Sequence, residues 1–271
     1  MIVVELRKLV RRPRTWVSIA LLCGLPTLVA VFLATTRIGP GPGEQPAFLA
    51  AVLSNGALFP AAALAIVLPL FLPVSVAVIA GDAVAGEASS GMLRYLLVRP
   101  VGRTRLLVAK LIALATYTLG AVLLVAGTAY VVGVLLFPAV PGEAISTSIS
   151  GEPLTTGEFV ARIAGAVGYV AVSMLGVGAI ALFLSTMTDS PLSAALGALA
   201  ALVASQVLVA LGAAGSVSPY LPTRYWLAWI DLFRDPIPWR DVERGLAIQA
   251  VYVAVFLAAA WANFATKDVK T

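Results

Sequence analysis

The chain has 271 residues, of which 61% are hydrophobic and 11% charged, with a net charge of +5 and a mean hydropathy of +1.00. A soluble domain carries roughly 25% charged residues, so this balance marks an integral membrane protein. There is no His, and Cys23 is the single cysteine, which removes His-based acid–base chemistry, Cys/His metal centres and any intramolecular disulfide.

Without water in the bilayer to satisfy backbone amides, spanning segments must be helices or a closed barrel. The apolar runs are long and continuous rather than alternating with period two, so helices are expected. The fold class is therefore an all-α membrane protein with six transmembrane helices. The pI near 9.6 is read as basic cytoplasmic loops and anionic lipid contacts, with no nucleic acid as a partner. Cys23 is a small apolar packing residue.

Residues 1–15 set Ile2, Val3, Leu6, Leu9 and Val10 against Glu5, Arg7, Lys8, Arg11 and Arg12 at near-helical spacing. This predicts a short amphipathic helix lying in the headgroup layer, ended by Pro13. The run 16–36 is span 1, with Pro26 as a kink. It exceeds the h-region of a signal peptide, and no small-residue cleavage site follows it. Pro and Gly fill 37–57 as a loop. Span 2 covers 58–80 and is irregular because of Pro60, Pro69 and Pro73.

A polar, basic interruption follows over 81–105, before span 3 at 106–137. Span 3 exceeds what a bilayer needs at about 1.5 Å per residue, so its excess projects into water or is taken up by tilt. Span 4 is 159–187, span 5 is 192–214 and span 6 is 246–264, with the tight turn TDSP at 188–191. Gly165, Gly168, Gly176 and Gly178 in span 4 and Ala194, Ala198, Ala201 and Ser205 in span 5 favour close helix packing. Gln206 and Gln249 are the polar groups within the apolar runs and are expected to bond between helices. Basic residues fix orientation: with the N-terminus cytoplasmic, twelve of the eighteen Lys and Arg fall on the cytoplasmic side, so both termini lie inside.

The segment 215–243 packs Tyr220, Tyr225, Trp226, Trp229, Phe233 and Trp239 among prolines and charges. Two readings stay open. One is an aromatic belt at the membrane interface. The other is an element capping the outer mouth of a pathway, with Tyr225, Trp226, Trp229 and Phe233 as a candidate outer gate.

Within 81–110, GDAVAGEASSGMLRYLLVRPVGRTRLLVAK, the carboxylate of Glu87 precedes the turn-forming Ser89, Ser90 and Gly91. Met92, Leu93, Leu96 and Leu97 then make one apolar side of a short surface helix, with Arg94 and Arg99 exposed and Pro100 ending it. Arg103, Arg105 and Lys110 lead into span 3 and, with Arg11 and Arg12, are expected to anchor the chain at the anionic leaflet.

This order of Gly-Glu, Ser-Gly, Leu, Leu-Leu, Arg-Pro, Arg and Lys resembles the ABC-2 type transporter permeases, in particular six-span permeases encoded apart from their ATPase. ELRKLVRRPRTW at 5–16 resembles that family's cytoplasmic elbow helix, and LPTRYWLAWIDLFRDPIPW resembles its outer loop before span 6. The resemblance implies a membrane subunit of an ATP-driven exporter in a bacterial plasma membrane, working as a dimer and coupled to a separate ATPase. The coupling residues it implies are Glu87, Gly91, Leu93, Arg94, Leu97, Arg99 and Pro100. No G-x-x-x-x-G-K occurs, so no P-loop is present and the chain itself is expected to bind no cofactor, ATP and Mg belonging to the partner. Two other classes stay in play. A membrane-embedded enzyme would need its carboxylates clustered, and Asp82, Glu87, Asp231, Asp235, Asp241 and Glu243 match no known catalytic spacing. An ion-gradient transporter would need internal repeats or ionisable groups at the midplane.

Overall fold

The computed structural model describes residues 1–36, 56–91, 102–137 and 153–266. Among the described residues the elements are all helical. Eight α-helices follow in order: α1 (Ile2–Arg11), α2 (Pro13–Thr36), α3 (Phe59–Val67), α4 (Phe71–Ser89), α5 (Arg103–Leu136), α6 (Thr156–Met187), α7 (Pro191–Ala210) and α8 (Trp239–Thr266). Six of them, α2 and α4 to α8, are long and apolar enough to cross a membrane.

Each boundary has a local cause. Pro13 forces Arg12 into an extended conformation and then opens α2, where its missing N–H is one the helix does not need. Thr155 and Glu158 form a reciprocal capping box at the start of α6, with Thr155 N donating to Glu158 Oε2 at 2.9 Å. Ser190 caps α7 and Pro191 takes its first position. That helix stops at Ala210, four residues short of the expected end, because Gly212 adopts φ +63° and Ala213 N reaches back to Leu208 O at 3.2 Å.

The expected second span is two helices. Pro69 has no N–H to return to the carbonyl of Ala65, and the chain breaks over 68–70 before α4 begins. Pro60 and Pro73 fall in first turns, where a missing donor costs nothing. The helix also runs on past the expected end at Ala80 as far as Ser89, so Asp82 and Glu87 lie on a spanning helix and not in a loop.

Helix α6 is the central member and packs against α4, α5, α7 and α8. Its glycines work as the small-residue pattern predicts: a Cβ at Gly178 would lie 2.8 Å from Leu114 of α5, and one at Gly176 would lie 2.1 Å from Gln249 of α8. Helices α2, α7 and α8 turn exposed Leu and Val side chains outward, as lipid-facing helices do.

The segment between α7 and α8 contains two short 3₁₀ helices, Gly215–Tyr220 and Ala228–Phe233. Trp226, Trp229 and Phe233 are buried in the main core, whereas Tyr220 and Trp239 are exposed. An interfacial belt therefore accounts for only part of this aromatic set.

Candidate functional site

At the end of the bundle where α1 lies, four helices, α1, α2, α4 and α5, bring seven charged side chains together. From α4, Asp82 and Glu87 are 3% and 2% exposed, and from α5, Lys110 is 2% exposed. Arg12 and Arg14 both bind Asp82, Arg14 Nη1 at 2.7 Å from Oδ1. Lys8 pairs with Glu87 Oε1, and Lys110 Nζ stands 2.7 Å from Glu87 Oε2 and 3.6 Å from Glu5 Oε1. Lys110 and Glu87 thus form a close, enclosed ion pair. A small cavity of about 40 Å³ beside it is bounded by Glu5, Lys8, Arg12, Thr15 and Lys110.

The sequence builds this cluster from helical spacing. Glu5, Lys8, Leu9 and Arg12 recur every three or four residues, so they share one face of α1. That face turns inward: these four are partly buried, while Val3 and Val10 are exposed on one side and Arg7 and Arg11 on the other. The simple division of α1 into one apolar and one charged face is thus corrected to three faces, with the mixed-charge one buried. On α4, Gly86 leaves room for Asp82 one turn earlier, since a Cβ there would lie 2.4 Å from Asp82 Oδ1. Burial holds the Arg12 guanidinium below its ordinary value, Arg14 pushes the same way, and Glu87 and Glu5 oppose both. Arg12 stays charged regardless.

The same level carries a polar joint that sequence reading missed. Ser185 of α6 donates to Gly81 O at 2.6 Å and accepts from Val84 N at 3.0 Å and Ala85 N at 2.9 Å. One hydroxyl thus serves both edges of an α4 turn. No signal marks Ser185 in the sequence, because a serine in a spanning helix ordinarily bonds its own preceding turn.

Several sequence-predicted residues sit elsewhere than expected. Glu87, expected in the polar loop as a coupling residue, is enclosed between Lys8 and Lys110, and Lys110 and Arg12, expected as anchors at the anionic leaflet, face carboxylates. Arg11 and Arg105 are exposed, and Arg103 opens α5. Gly91 occupies the turn after α4 at φ +68°. Leu93, Arg94, Leu97, Arg99 and Pro100 lie outside the described residues.

A family model described as ABC-2 family transporter protein matches residues 1–196. The chain belongs to the ABC-2 transporter family. The matched part runs from α1 into α7 and contains the whole charge cluster. Comparison with curated proteins gave no match. This ABC-2 family protein is thus a multi-pass membrane transporter component, and the resemblance read from its first half is upheld. The likeness of LPTRYWLAWIDLFRDPIPW to the family's outer loop falls beyond the matched residues.

At the opposite end, side chains of α6 and α8 hold the 211–238 segment by its backbone, and one of α7 holds it through a side chain. Tyr169 of α6 donates to Tyr225 O at 2.6 Å, Gln249 of α8 to Pro222 O at 2.7 Å, and Tyr252 to Tyr220 O at 3.1 Å. Ser205 of α7 bonds Thr223 at 2.7 Å. Gln206 donates at 2.7 Å to the Pro69 carbonyl beside the α3–α4 break. Both glutamines therefore bond outside their own helix, but to carbonyls of non-helical segments and not to another helix as expected. Of the candidate gate residues, Trp226, Trp229 and Phe233 are fixed in the core and Tyr225 is half-buried.

Proposed function

We propose that this protein is the membrane-spanning permease subunit of an ATP-driven exporter, paired with a second permease copy and coupled to a separate ATPase. The observation that carries the reading is the charge cluster at the facing ends of α4 and α5, the two helices that flank segment 92–101. Family membership supplies the context, since ABC-2 permeases work with ATPase subunits.

In this reading Arg94, Arg99 and the apolar side of segment 92–101 touch the ATPase. Glu87 lies in the last turn before that segment and acts by transmission. Displacement of 92–101 pulls on the end of α4, and the pairs to Lys8 and Lys110 carry the pull to α1 and α5. Buried ion pairs suit such a task because separating them leaves uncompensated charge. Both termini are then cytoplasmic, and Arg7, Arg11, Arg103 and Arg105 meet the anionic leaflet.

The test is pull-down of the tagged chain in mild detergent, followed by ATPase and transport assays in proteoliposomes. An ATPase subunit is expected to co-purify, and Arg94→Glu with Arg99→Glu should release it while the permease stays folded. Transport by the purified chain alone, with no ATPase bound and none needed, would overturn the proposal.

A further inference from the structure

At the end opposite the charge cluster, a furrow of about 470 Å³ runs between α6, α8 and the 211–238 segment. That volume falls within the range of small-molecule sites. One wall is made by Ala161, Gly165, Gly168 and Val172, which follow one another on α6 at helical spacing. A Cβ at Gly168 would meet nothing within 4 Å, so the glycine leaves real space. Leu232, Trp239 and Leu246 form the facing wall.

A cation stands at one end of this apolar trough. The Arg162 side chain is only 10% exposed; its Nη1 donates to Arg234 O at 3.1 Å and its Nη2 lies 3.4 Å from Asp235 Oδ2. A guanidinium has five N–H donors, and 3.4 Å is longer than the 2.7–2.9 Å of a full charge-assisted bond. Arg162 lies about 9 Å along α6 from Thr156, at 1.5 Å per residue. Trp239 opens α8 beside it and is 53% exposed, a placement that suits the headgroup layer.

We propose that this furrow binds a phospholipid of the adjoining leaflet, with an acyl chain lying along Gly165 and Gly168 and an anionic headgroup at Arg162. Charge complementarity selects the occupant: a partly engaged cation at the headgroup level of an otherwise apolar trough favours a lipid with net negative charge. The proposal does not depend on the exporter reading.

Native mass spectrometry of the full chain, titrated with phosphatidylglycerol and phosphatidylcholine of identical acyl chains, tests it. A preference of about fivefold for the anionic lipid, of which Arg162→Gln removes the larger part, is expected. Arg162→Lys should retain most of it, and Gly168→Leu should weaken both lipids by filling the trough. Asp235→Asn decides between lipid reading and loop support: freeing the guanidinium should raise anionic lipid binding. An undiminished preference in Arg162→Gln overturns the proposal. So does Asp235→Asn lowering that preference, since Arg162 would then act only by holding the 211–238 segment. Should Arg162→Gln fail to fold, Gly168→Leu and Asp235→Asn carry the test with the same signs.

Discussion

Lys110 Nζ of α5 lies 2.7 Å from Glu87 Oε2 of α4, and both residues are 2% exposed. Two charges enclosed at this depth are tolerable only together. Removing one partner of such a pair typically costs about 3–5 kcal/mol, because the other is left charged in a poor solvent. Glu87→Gln should therefore lower thermal stability in detergent strongly, leaving Lys8 and Lys110 facing a neutral amide. The double change Glu87→Met with Lys110→Met should recover part of the loss, because apolar groups replace the two enclosed charges while the more exposed Lys8 and Glu5 lose their partners. Fluorescence-detected size exclusion after heating reads both, and an unchanged midpoint in Glu87→Gln would refute the account.

Ser185 offers a second, separable joint between α6 and α4. Its hydroxyl reaches Gly81 O and the amides of Val84 and Ala85, so Ser185→Ala deletes one group that serves three. A loss of about 1–3 kcal/mol is expected, with faster amide exchange confined to 81–87 of α4. Hydrogen-exchange mass spectrometry checks this. Unaltered exchange across that turn would mean that the hydroxyl is incidental.

Six spans, a helical start and the need of Gln206 and Gln249 for a partner outside their own helix were legible because each rests on a short-range signal: apolar length, helical spacing, or a polar group stranded in an apolar run. The charge cluster was not. Glu5, Lys8, Arg12, Asp82, Glu87 and Lys110 look like interfacial residues one by one, and only the fold brings partners such as Arg12 and Asp82, 70 positions apart, into contact. Reading Asp82 and Glu87 as loop residues followed from treating charge as the end of a span. The helix continues because opposite charge meets each carboxylate, from Arg12 and Arg14 at the start of α2 for Asp82 and from Lys8 of α1 and Lys110 of α5 for Glu87. Trp226 and Trp229 stayed between two readings for a related reason, since an aromatic ring near a membrane end has the same sequence signature whether it faces lipid or core.

Gly176 and Gln249 make a testable pair across α6 and α8. A Cβ at Gly176 would stand 2.1 Å from Gln249 Oε1, and the Gln249 amide holds Pro222 O at 2.7 Å. Gly176→Ala should thus act by displacing Gln249, and Gln249→Leu by deleting the same bond. Each is expected to cost about 1–2 kcal/mol and to speed proteolysis of the 211–238 segment. If the two share a mechanism, the double variant should lose clearly less than the sum of the singles. Strict additivity would show that they act independently.

The aromatic segment yields the sharpest contrast between its two readings. Trp229 is 0% exposed and meets Phe233 edge-on at 6.2 Å, whereas the Tyr220 ring is 69% exposed. An interfacial belt would make the two rings comparable in energetic weight, while a packed cap makes Trp229 a core residue. Trp229→Ala should then cost about 3–5 kcal/mol, as removal of a large buried ring does. Tyr220→Ala should stay within about 0.5 kcal/mol, as exposed substitutions do. Its backbone carbonyl, which accepts the Tyr252 hydroxyl, survives the change. Thermal midpoints in one detergent give the comparison, and similar shifts for both variants would return the segment to the interfacial reading. A large shift for Trp229→Ala alone would establish that the 211–238 segment is a structural closure fixed to α6 and α8, so any opening on that side must move those helices with it.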